Sequence, residues 1–80
     1  MTIAASLRIE FRPLLVQGQL ATDDNGILLL IDSEQPDAEK IVTIWHETLH
    51  LLGLTDEEQV ESMANKLAAA CPEILQAFRQ

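Results

Sequence analysis

The sequence predicts an α+β fold: a small, mostly antiparallel sheet packed on two helices, the first of which carries the chemistry. Three observations predict it. Leu7, Ile9 and Phe11 alternate with Arg8, Glu10 and Arg12, and the period of two is that of a half-buried strand. Two strand-like runs flank Asp23-Asp24-Asn25-Gly26, a hairpin signal. From Asp37 to Gly53 the apolar residues recur at helical spacing, and a second helical pattern follows a capping sequence at Thr55.

In chain order, residues 1 to 5 are expected to be loose, and Pro13 ends the first strand or marks an edge. Leu14-Leu15-Val16 reads as either a turn or a short strand. Gln17 to Thr22 and Ile27 to Ile31 form the hairpin, with Asn25 and Gly26 expected at positive φ in a type I′ turn. Ile27-Leu28-Leu29-Leu30-Ile31 is apolar on both faces, so it takes a central position or is covered by a second subunit in a homodimer. The first helix begins at Pro36 or Asp37 and ends at Gly53 in a left-handed cap, with Val42, Trp45, Leu49 and Leu52 as its apolar stripe. Thr55 caps the second helix, which buries Val60, Met63, Ala64 and Leu67 and runs to about Ala70. Acids in its first turn, Glu57 and Glu58, are explained by capping alone. Pro72 opens a last helix through Phe78.

Eighty residues make one domain, so residues 1–80 are read as a single unit. Thirteen acids against five scattered bases give a net charge of −8, which argues against tracking a phosphate backbone. Nucleic-acid binding and membrane insertion are not expected, because the longest apolar run is too short to span a bilayer. A lone cysteine, Cys71, excludes an intrachain disulfide and is read as core, and no signal peptide is evident, so a cytoplasmic location is expected.

The chemistry sits in His46-Glu47-Thr48-Leu49-His50, which reads H-E-x-x-H and contains both histidines. Residues four apart share a helix face, so both imidazoles reach one Zn2+ at about 2.0–2.1 Å. Glu47 is one residue past the first ligand, where a general base takes a proton from metal-bound water. A catalytic zinc usually has three protein ligands, and two candidates stand for the third. Glu61 shares a helix face with Glu57, Ala64 and Ala68, and the alanines permit close approach to the first helix. Asp56 completes H-E-x-x-H-x-x-G-x-x-D, with aspartate where metzincins have a last histidine.

Glu61-Ser62-Met63-Ala64-Asn65-Lys66-Leu67-Ala68 resembles the E-x-x-A-N-x-F-A segment that follows H-E-x-x-H in ImmA/IrrE-type metallopeptidases. The resemblance covers roughly residues 25 to 70. It implies a zincin-like minimal domain of gluzincin type, with zinc held by His46, His50 and Glu61 and with Glu47 as catalytic base. It also implies hydrolysis of a peptide bond in a protein or peptide substrate. The chain departs from that pattern in three ways: ten residues separate His50 from Glu61, Leu67 stands for phenylalanine, and there is no tyrosine to donate to a developing oxyanion. The alternative is a zinc-stabilised, non-catalytic interaction module.

Overall fold

A computed structural model describes residues 6–78; the expectation for residues 1–5 lies outside them. Three strands, β1 (Ser6–Arg12), β2 (Gly18–Asp23) and β3 (Gly26–Asp32), precede three helices, α1 (Asp37–Leu51), α2 (Glu57–Ala70) and α3 (Ile74–Phe78). The α+β class is as expected, but the sheet is mixed and not mostly antiparallel. Its order is β1-β3-β2, with β1 parallel and β2 antiparallel to β3. The reason is burial. The run apolar on both faces takes the central slot, and the tight hairpin holds β2 on one side of it. The remaining side is left to β1, which then runs parallel to β3 because two chain reversals separate them.

The hairpin turn also differs from expectation. Asp23 pairs with Gly26, so Asp24 and Asn25 form the loop. Neither has positive φ; that conformation falls on Gly26 (φ 126), where no Cβ opposes it.

Helix α1 divides the core into two clusters. Leu29, Ile31, Ile44 and Leu75 join sheet, α1 and α3, with Ile9, Phe11, Leu20 and Ile41 packed around them. Leu49, Val60 and Ala64 join α1 to α2, with Val42, Trp45 and Leu54 alongside. The expected stripe Val42, Trp45, Leu49 therefore faces α2, and Ile41 and Ile44 form a second buried face towards the sheet. Leu52 does not belong to the stripe: it is the C-cap residue and is exposed. No helix among the described residues is long and apolar enough to cross a membrane.

Candidate metal centre

The centre is built where the end of α1 meets the start of α2. The chain leaves α1 through a Schellman motif: the Gly53 N–H donates to the His50 carbonyl (3.0 Å) and the Leu54 N–H to the Leu49 carbonyl (3.1 Å). Gly53, at φ 104, makes this possible, and Leu54 folds back against Leu49. The turn carries the Leu54 carbonyl to 2.9 Å from Nδ1 of His50. A carbonyl oxygen only accepts, so the proton of neutral His50 is on Nδ1 and the Nε2 lone pair is turned outwards, the arrangement a metal-ligating histidine needs.

His46 and His50 lie one turn apart with their rings edge to face. Their Nε2 atoms approach to 3.2 Å, close to the roughly 3.3 Å between two nitrogens bound tetrahedrally to one zinc at about 2.0–2.1 Å. The third atom comes from Glu57. Its Oε1 is 2.5 Å from Nε2 of His50 and 3.7 Å from Nε2 of His46. In the triangle with sides 3.2, 2.5 and 3.7 Å, the point equidistant from all three atoms lies about 1.9 Å from each, inside the zinc–ligand distances of roughly 2.0–2.2 Å. His46, His50 and Glu57 would together hold a divalent ion there. A lone pair and a carboxylate oxygen at 2.5 Å repel unless a proton or a metal ion lies between them. The residues present therefore fit the metal that the motif implies.

The expected third ligands are placed differently. Glu61 Oε2 lies 3.9 Å from Nδ1 of His46, on the far side of the ring from the Nε2 pair. Asp56 caps α2, accepting the Gln59 N–H at 3.2 Å; it takes the capping role expected of Thr55. Glu57, assigned by sequence only a capping role, is the carboxylate that joins the histidines. Its signal was its position on the Glu61 face, one turn earlier and seven residues after His50.

Glu47 shares a cleft of about 310 Å³ with Gln17, Gly18, Thr43, His46, Glu57 and Glu61. A neighbouring cleft of about 300 Å³ shares Gln17, Thr43 and Glu61 and extends to Glu39 and Asn65. Among the described residues no lysine or arginine lines either, so both favour cations. One wall is β2, an edge strand. The Asp32 N–H donates to the Gln17 carbonyl (2.9 Å), and Gly18 stands opposite Ile31. Antiparallel pairs alternate, so the backbone N–H and C=O of Gly18, Leu20 and Thr22 point away from β3 to the open edge. Two contacts steady this wall: Gln35 donates to the Gln17 carbonyl (3.1 Å), and the Asp32 carboxylate accepts the N–H groups of Leu14 and Glu34 (both 3.1 Å).

Compared with family models, curated proteins and solved structures, the chain matches none.

Proposed function

We propose that the protein is a zinc-dependent peptidase whose metal is held by His46, His50 and Glu57. The observation that carries this reading is the convergence of two Nε2 atoms and one carboxylate oxygen around a point about 1.9 Å from each. Glu47 lines the same cleft without belonging to that triangle. Zinc bound there would supply Lewis-acid polarisation of a substrate carbonyl and activation of the attacking water. Glu47 would accept that water's proton on its carboxylate and pass it to the leaving amine. The open edge of β2 holds an extended substrate chain by strand addition, beside Glu47. Glu61 stands 3.9 Å behind Nδ1 of His46, on the side from which an outer carboxylate partners a ligating imidazole but beyond hydrogen-bond reach. The expected set with Glu61 on the metal differs from this one by a single turn of α2. The resemblance to ImmA/IrrE-type peptidases points to the same reaction.

A purely structural zinc site is instead closed by four protein ligands. The rival reading is a zinc-stabilised interaction module. Glu47→Gln decides between them. The variant should bind zinc as the wild type does and lose cleavage across a peptide library. Equal cleavage by both proteins would remove Glu47 from the chemistry and favour the module.

A further inference from the structure

We propose that Gly18 is a positioning residue for this reaction: the bare backbone of β2 at this position seats the strand against α1 and sets where the Glu47 side chain lies. This rests on reading Glu47 as the general base. Glycine is not required here by backbone conformation, since positive φ among the described glycines occurs only at Gly26 and Gly53. The requirement is steric. A Cβ on Gly18 would lie 2.6 Å from Thr43 Cγ2, 3.2 Å from Glu47 Cγ and 3.5 Å from the Leu30 carbonyl oxygen.

Thr43 cannot yield. It is buried, its hydroxyl donates to the Glu39 carbonyl at 2.9 Å, and that bond fixes the direction of Cγ2. The Leu30 carbonyl belongs to the central strand. A side chain at position 18 must therefore lift β2 off the helix, and it also crowds the Glu47 stem. Both effects disturb the wall along which a substrate chain lies and the carboxylate that acts on it. Gly18 thus links the strand edge to the base through the close approach of its backbone beside the Glu47 stem.

The two clashes can be relieved separately, because Thr43→Ser removes Cγ2 and keeps the hydroxyl. The experiment compares wild type, Gly18→Ala, Thr43→Ser and the double variant as zinc-loaded full chains. Melting temperature, zinc affinity, and kcat and KM are measured on a quenched fluorescent peptide that wild type cleaves and Glu47→Gln does not. Gly18→Ala should bind zinc normally and lose about a hundredfold in kcat, with a smaller rise in KM from the displaced β2 wall. In the double variant the melting temperature should return to that of Thr43→Ser. Its kcat should remain about tenfold below that of Thr43→Ser, because the 3.2 Å approach to Glu47 persists. Full recovery of kcat together with melting temperature would make Gly18 merely a packing residue, as would an unaffected Gly18→Ala. A wild type that binds zinc but shows no cleavage dependent on Glu47 would overturn the peptidase reading, and the role of Gly18 with it.

Discussion

Deleting one α2 carboxylate at a time tests the ligand set directly. Both side chains are mostly exposed, Glu57 at 71% and Glu61 at 66%, so truncation to alanine removes little packing and reports on the metal. Glu57 Oε1 is a corner of the ligand triangle, whereas Glu61 Oε2 is 3.9 Å from the opposite ring nitrogen of His46, beyond hydrogen-bond length. Loss of an outer partner of a ligating histidine typically costs about 10–100-fold in affinity. Glu61→Ala should fall at or below the lower end of that range, given its distance. Glu57→Ala should exceed the upper end, a loss of more than about 2.8 kcal/mol. Asp56→Ala should leave affinity unchanged and remove a helix cap worth about 1 kcal/mol. Competition with a chromophoric chelator measures all three. If Glu61→Ala loses the metal while Glu57→Ala keeps it, the argument from the triangle is refuted and the set implied by the family resemblance stands.

Zinc at a hundred times its Kd should add about 2.7 kcal/mol of stability. At about 4–8 °C per kcal/mol for a domain of this size, the melting temperature should rise by roughly 10–20 °C; an unchanged transition after verified metal removal would refute this. Gly53→Ala meets no atom within 4 Å but must hold φ 104. It should therefore cost about 1–2 kcal/mol through the backbone alone, and the displaced Leu54 carbonyl should lower zinc affinity about tenfold. The Cys71 thiol is held above the ordinary range, first by its hydrogen bond to Glu73, then by desolvation and by the repulsion of that carboxylate. Its thiolate therefore appears only as pH rises past that range, so alkylation at pH 8 should be slower than for a model peptide thiol.

What was legible in the sequence was what neighbouring residues decide. Period-two alternation located β1, and Asp37 and Gly53 bounded α1, because strand faces and helix ends are local properties. The H-E-x-x-H spacing placed both imidazoles together for the same reason. Non-local facts were missed. The apolar run Ile27–Ile31 suggested a central strand, yet nothing in β1 states that it will run parallel to it. The close approach of β2 to α1 at Gly18, which buries Thr43 at the edge of the cleft, is equally non-local. The cap falls one residue beyond the expected Thr55 because both Thr55 and Asp56 are cap formers, and the path of the chain after Gly53 chooses between them.

That path also explains which carboxylate meets the histidines. His50 is in the last turn of α1, and the Schellman motif reverses the chain at once, so the first turn of α2 returns beside it. The site is thus framed by the negative end of one helix dipole and the positive end of another. The α1 end favours a cation. The α2 end, by itself, opposes one and stabilises an acidic side chain. A carboxylate from the first turn of α2 satisfies both: it lies at the helix end that favours its charge and carries that charge to the histidine pair. Glu57 opens α2 and meets this condition, whereas Glu61 is a full turn further along, where the dipole contribution has faded. With so short a connection between the helices, the acid in reach of both Nε2 atoms is the first on the facing surface.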